Sequence, residues 1–152
     1  MRKIALLVNV ILFTNFLVAQ DATVFNFNLN HIALSVNNVN RSADFYQQVL
    51  KLQEITNRSK LEGVRWFLLG EGKELHLISI VKEPVTINKA VHLALTTANF
   101  DAFIKSLESN HIVYSDWPGT PNKINIRADG IKQIFFQDPD GYWIEVNSVG
   151  VK

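Results

Sequence analysis

One six-residue pattern is written twice in this chain, and it limits the fold more than any other feature. His31-Ile-Ala-Leu-Ser-Val36 returns 61 residues later as His92-Leu-Ala-Leu-Thr-Thr97. Each copy alternates as a strand does, so that the histidine shares a face with small or hydroxyl residues (Ala33 and Ser35; Ala94 and Thr96). Ile32, Leu34, Leu93 and Leu95 take the opposite face. A helical stretch follows each copy: Asn40 to Leu50, with Ala43, Tyr46, Val49 and Leu50 at helical spacing, and Phe100 to Ser109, with Phe103, Ile104 and Leu107. Asn40 and Asn99 are the expected helix starts. A second echo, at an offset of 69 residues, aligns Phe67-Leu-Leu-Gly-Glu-Gly72-Lys-Glu-Leu-His76-Leu with Phe136-Gln-Asp-Pro-Asp-Gly141-Tyr-Trp-Ile-Glu145-Val. Both segments read as strand, glycine turn, strand. The expectation is an α+β fold of two βαβββ modules, forming a curved mixed sheet with helices outside, produced by duplication rather than by a solenoid of shorter, more numerous repeats.

The repeat also places chemistry. His31 and His92 become equivalent positions on the first strand of each module, and His76 and Glu145 equivalent positions on the last. If the two sheets face each other, the four converge on one cavity. Three imidazoles and a carboxylate suit divalent Zn, Ni, Mn, Co or Fe, and they leave an octahedral ion two positions for substrate oxygens. Such a site polarises a carbonyl or stabilises an oxyanion. Glu74 competes with His76, since residues two apart on a strand share a face. The glycine spacing favours His76, which lies four beyond Gly72 as Glu145 lies four beyond Gly141. Glu74 is then a candidate general base or a partner for an imidazole, and with Glu145 it makes up the candidate catalytic pair. His111 breaks the repeat and reads as structural.

Composition sets outer limits. The 152 residues carry 15 basic and 14 acidic side chains, with no basic cluster of the kind nucleic-acid binding requires. The chain has no cysteine, which removes disulfides, thiolate metal sites and cysteine nucleophiles. Residues 1–20 read as a signal peptide, with Arg2 and Lys3 before an apolar run too short and too interrupted for a stable membrane anchor. Cleavage is expected near Asp21, so the mature protein is expected to be periplasmic or secreted. The layout is then signal peptide 1–20, a short N-terminal segment 21–29 and one domain over 30–149.

His31-Ile-Ala-Leu-Ser-Val, Asn-Arg-Ser-x2-Phe45-Tyr46, Glu-Leu-His76-Leu, Val-His92-Leu-Ala-Leu and the ending Phe136-x-Asp138-Pro139-Asp140-Gly141-Tyr142-x-Ile-Glu145 together resemble the glyoxalase, bleomycin-resistance and dioxygenase group, the vicinal-oxygen-chelate superfamily. The resemblance implies paired βαβββ modules, a divalent metal at a shared cavity and a small substrate with neighbouring oxygens. It implies an exported lyase or isomerase of glyoxalase type first. An iron-dependent extradiol dioxygenase, with His31, His92 and Glu145 as ligands, and a secreted small-molecule-binding protein are the alternatives. A homodimer is left open. Where bacterial glyoxalase I has an arginine and an asparagine for glutathione, four residues after its first two ligands, this chain has Ser35 and Ile80. Arg127 and Lys132 are candidates for an anionic substrate, and Trp66, Trp117, Tyr142 and Trp143 for the cavity wall.

Overall fold

Alternation at residues 31–35 and 92–96 yields two strands that each start a module, and everything else is arranged around them. The computed structural model describes residues 26–150; the signal-peptide segment 1–20 and residues 21–25 of the short N-terminal segment lie outside the described residues. The first module contains β1 (His31–Ser35), α1 (Val39–Gln48), β2 (Gln53–Ile55), β3 (Val64–Gly70) and β4 (Lys73–Ile78). The second repeats the order with β5 (His92–Thr96), α2 (Phe100–Ser109), β6 (Asn125–Ile126), β7 (Lys132–Gln137) and β8 (Trp143–Asn147). Each module forms a four-stranded mixed sheet, in the orders β1-β4-β3-β2 and β5-β8-β7-β6. The first and last strands of each module pair in parallel, because a helix and two strands carry the chain across between them. Among the described residues no helix is long and apolar enough to cross a membrane.

The strand register reproduces the sequence repeat. Ala33 lies opposite His76 and Trp66 flanks His76 on the other side; Ala94 lies opposite Glu145 and Phe135 flanks Glu145. The fold therefore carries both offsets, of 61 and 69 residues, into three dimensions.

The N-cap of helix α1 lies two residues earlier than the sequence suggests, and the helix ends at Gln48 rather than Leu50. Its N-cap is Asn38, in extended conformation (φ −138°, ψ 108°), whose side chain accepts from the backbone N–H groups of Asn40 and Arg41. Asn40 is thus inside the helix, a correction to the expected start. Helix α2 matches its expected span, with Asn99 at the N-cap but no side-chain capping bond. Just past its end His111 takes a positive φ of 54° and its N–H donates to Glu108 O, consistent with a structural role.

One apolar core serves both modules. Tyr46, Phe67, Leu75 and Leu77 of the first join Phe100, Leu107, Ile134, Phe136 and Ile144 of the second in a single buried cluster. Phe136 touches a helix residue from each module, Phe45 of α1 and Phe103 of α2. Each such fully buried aromatic contributes about 1.5–3 kcal/mol through burial alone.

The Asp138-Pro-Asp-Gly-Tyr142 turn locks the modules together. Asp138 Oδ1 accepts from the N–H groups of Asp140 and Tyr142, shaping the turn. Its Oδ2 accepts from the Tyr46 hydroxyl of α1 at 2.8 Å, deep in the core. Asp140 Oδ1 accepts from the backbone and side-chain N–H groups of Asn37, and its Oδ2 from Ser42 Oγ. Tyr142 OH donates to Ser35 O at the end of β1. Six side chains, from the turn, the first helix and Asn37 just before it, thus bridge positions about a hundred residues apart in sequence. Burial, then the negative charge of Asp138, pushes the Tyr46 hydroxyl far above the ordinary tyrosine range.

Candidate metal half-sites

On β1 and β4 the period of two puts His31, Glu74 and His76 on one sheet face. The His31 and His76 rings stack, with centroids 4.3 Å apart and planes 13° from parallel. Trp66, on β3, stacks on the other face of His76 at 4.0 Å. The Arg58 guanidinium, from the turn after β2, lies 4.6 Å from the Trp66 ring centroid. A four-layer pile therefore runs across the sheet: His31, His76, Trp66, Arg58.

Hydrogen bonds decide which ring nitrogens keep a free lone pair. His31 Nδ1 meets the Asn30 side-chain oxygen at 2.8 Å, and an amide oxygen only accepts, so Nδ1 carries the proton and Nε2 is free. His76 Nε2 meets Glu74 Oε2 at 2.8 Å and by the same reasoning donates, which leaves Nδ1 free. Arg58 donates to both Glu74 oxygens, at 2.6 and 2.9 Å. That guanidinium first, and the His76 bond second, hold the Glu74 carboxyl below the usual carboxylate range.

The second half-site is built on β5 and β8. His92 Nε2 lies 3.3 Å from Glu145 Oε2. His92 Nδ1 donates to Lys89 O at 2.9 Å, so its free lone pair is on Nε2, beside the carboxylate. Glu145 is buried, and its Oε1 accepts from Asn147 Nδ2 at 2.8 Å. Phe135 meets the edge of the His92 ring at a centroid distance of 5.6 Å, and half-exposed Trp117 lies 6.4 Å away. His92 also lines an apolar cleft of about 400 Å³ between the modules, with Ile32, Leu34, Leu93, Tyr142 and Trp143.

The four expected ligands are thus brought together in two pairs, His31 with His76 and His92 with Glu145. Within the chain they do not form one cluster: among the described residues no group of three or more His, Asp or Glu side chains is set to hold an ion. Their chemistry fits a borderline divalent metal, since every imidazole has one nitrogen tied by a hydrogen bond and the other free.

The remaining candidates fall in different places. Trp66 is part of the first half-site, and its buried Nε1–H has no acceptor among the described residues. Arg127 pairs with Asp129 of its own turn at 2.7 Å, and Lys132 with Asp101 at 2.9 Å. Trp143 and Tyr142 line the cleft. Nothing in the strand alternation marks Arg58 or Lys89. The 69-residue offset maps Arg58 onto Arg127 and was the signal available for it; Lys89 lies between the modules, where the repeat is silent.

Known proteins similar to this chain carry several different names. Glyoxylase I 4 of Arabidopsis thaliana is 29% identical over 126 residues, covering 78% of this chain and 68% of that protein. Metallothiol transferase FosB of Staphylococcus saprophyticus is 25% identical, covering 79% and 76%. Among solved structures, the oxidase ChaP-H2 superposes with a TM-score of 0.69 at 21% identity, covering 83% of this chain and 96% of its own. A glyoxalase/dioxygenase from Nostoc punctiforme does so at 0.65 and 24%, covering 86% and 99%. The sequence model of the Glyoxalase/Bleomycin resistance protein/Dioxygenase superfamily matches residues 28–146, from just before β1 into β8, and the chain belongs to that superfamily.

Proposed function

We propose that the mature chain is an exported, metal-dependent lyase or isomerase of glyoxalase type, acting on a small substrate with adjacent oxygens. The observation that carries this reading is the pair of register-equivalent half-sites, in which three imidazoles present a free nitrogen and Glu145 lies beside one of them. His31, His76, His92 and Glu145 would hold a divalent ion that polarises substrate oxygens and stabilises negative charge developing on them. His31 and His76 of one copy and His92 and Glu145 of another complete the set in a homodimer. Apolar surface for such pairing is present in the linker between β4 and β5, where Ile80, Val81, Val85 and Val91 are 47–69% exposed.

The chain's own groups divide the remaining work. Glu74 has both oxygens on Arg58 and one also on His76, so its task is to hold His76 rather than to take a proton from substrate. The proton-accepting role falls to Glu145. The buried Trp66 N–H has no acceptor among the described residues, which costs about 1–3 kcal/mol.

Metal analysis of the purified mature protein, followed by activity and binding assays with each candidate ion, tests this reading. About one ion per chain is expected, with activity lost on its removal. Undiminished metal content in a His31→Ala/His92→Ala/Glu145→Ala variant would remove the basis of the proposal. Ligand binding unaffected by chelation, with no turnover, would point instead to a sequestering protein.

A further inference from the structure

The linker residue Lys89 makes more specific contacts than any other side chain around the second half-site. Its ammonium donates to Asp116 O at 2.6 Å, Trp117 O at 3.0 Å and Ser115 Oγ at 3.2 Å. An ammonium has three N–H bonds, and all three are used. Aromatic faces surround it: Phe135 at 4.6 Å, Trp143 at 4.8 Å and Trp117 at 5.7 Å from ring centroid to Nζ. The acceptors themselves are fixed. Asp116 is buried, its Oδ1 accepting from the N–H groups of Gly119 and Thr120 and its Oδ2 facing Lys123 Nζ at 3.0 Å, while Ser115 exchanges backbone bonds with Phe135 on β7.

The other end of the same residue faces the half-site. Lys89 O is the acceptor for His92 Nδ1–H. A tight turn, in which Asn88 O accepts from Val91 N and Asn88 Oδ1 from Ala90 N, holds the intervening backbone. The rest of the linker gives little support, since Val85 and Val91 are 52% and 69% exposed. The anchored side chain therefore determines where the carbonyl stands, and the carbonyl determines which nitrogen of His92 carries the proton.

We infer that Lys89 is a positioning residue for His92: by tying the linker to the 115–117 segment it keeps a proton on Nδ1 and directs Nε2 toward Glu145. The inference deepens the proposed function, but its first test does not depend on any bound ion. Free imidazole side chains in water favour the opposite tautomer, with the proton on Nε2, so holding Nδ1–H requires the acceptor to stay in place. In the metal-ligand role, misplacing an outer hydrogen-bond partner typically lowers metal affinity about 10–100-fold.

The experiment is ¹⁵N NMR of the histidine side chains in the metal-free protein, comparing the unsubstituted chain with Lys89→Met and Ser115→Ala. Methionine keeps the apolar stem in the aromatic cage and removes all three donors; Ser115→Ala removes one acceptor and leaves the two carbonyl bonds. Followed at pH values where its ring is neutral, His92 should be a single Nδ1–H tautomer in the unsubstituted chain and in Ser115→Ala, and should shift toward Nε2–H in Lys89→Met, with at least about ten-fold weaker zinc binding. A purely structural lysine would lower thermal stability in Lys89→Met while leaving the tautomer unchanged, and that result overturns the inference. An Nε2–H tautomer in the unsubstituted chain overturns it as well. If the tautomer behaves as expected but no variant, nor the unsubstituted chain, binds zinc, the positioning role stands and the metal-dependent reading fails.

Discussion

Replacing Tyr46 by phenylalanine removes one oxygen from the centre of the molecule and isolates the most buried part of the inter-module lock. Tyr46 is 0% exposed and Asp138 5%, and the bond joining them is 2.8 Å long. A hydrogen bond to a charged acceptor contributes about 1.5–3 kcal/mol, and here no water can replace it. Asp138 Oδ1 keeps its two backbone donors, so the turn survives and the loss is confined to Oδ2. Tyr46→Phe should therefore cost about 2–3 kcal/mol, or roughly 6–10 °C in Tm for a domain of this size. Asp138→Asn should cost less, because an amide oxygen still accepts both backbone bonds and the Tyr46 hydroxyl can turn to accept from the amide. The pH dependence has a definite sign. Burial raises the Asp138 pKa more than its hydrogen bonds lower it. The folded state thus binds the proton more tightly than the unfolded one, and the stabilisation is complete below the unfolded-state pKa and lost as pH rises through the folded one. Urea unfolding between about pH 3.5 and 7 should show the advantage of the unsubstituted chain over Asp138→Asn shrinking as pH rises. An advantage that grows with pH, or a Tyr46→Phe cost below about 0.5 kcal/mol, would refute this account of the lock.

Asn38→Ala should lower stability by about 1 kcal/mol, measured by urea unfolding, while Asn40→Ala should cost less because only Asn38 caps α1. Expressed with its full sequence, the protein should be recovered outside the cytoplasm with an N-terminus near Asp21 by N-terminal sequencing. With methylglyoxal and glutathione the metal-loaded protein should turn over poorly, because Ser35 and Ile80 offer no charged contact to the tripeptide; kcat/KM near 10⁶ M⁻¹s⁻¹, the range of efficient enzymes, would contradict that expectation.

What is legible in the sequence is what depends on local register. Strand alternation and the two offsets assign faces, so the equivalence of His31 with His92 and of His76 with Glu145 follows directly from sequence. A face is not a distance, however. Nothing in the alternation says how far the His31–His76 pair stands from the His92–Glu145 pair, and in the chain they remain two groups. The start of α1 was misplaced for a smaller reason: Asn38 and Asn40 are both good caps, and only the backbone conformation of Asn38 separates them. The Asp138 turn was visible as a motif, but its use was not, since its partners Asn37, Ser42 and Tyr46 lie 92 to 103 residues away. Long-range pairing of this kind has no periodic signal. Arg58 illustrates the reverse case, a residue the repeat would have marked through Arg127 had polar positions outside the strands been aligned.

The central claim, that two register-equivalent halves make one metal site, is tested most directly by complementation. A His31→Ala/His76→Ala variant and a His92→Ala/Glu145→Ala variant each lack one half and should each purify without metal. Co-expressed with different tags and isolated as the mixed dimer, they restore one complete set and one empty set, so the mixed dimer should hold about one ion where the unsubstituted dimer holds about two. A mixed dimer as metal-free as its parents, or either parent binding metal at full stoichiometry, would contradict the account.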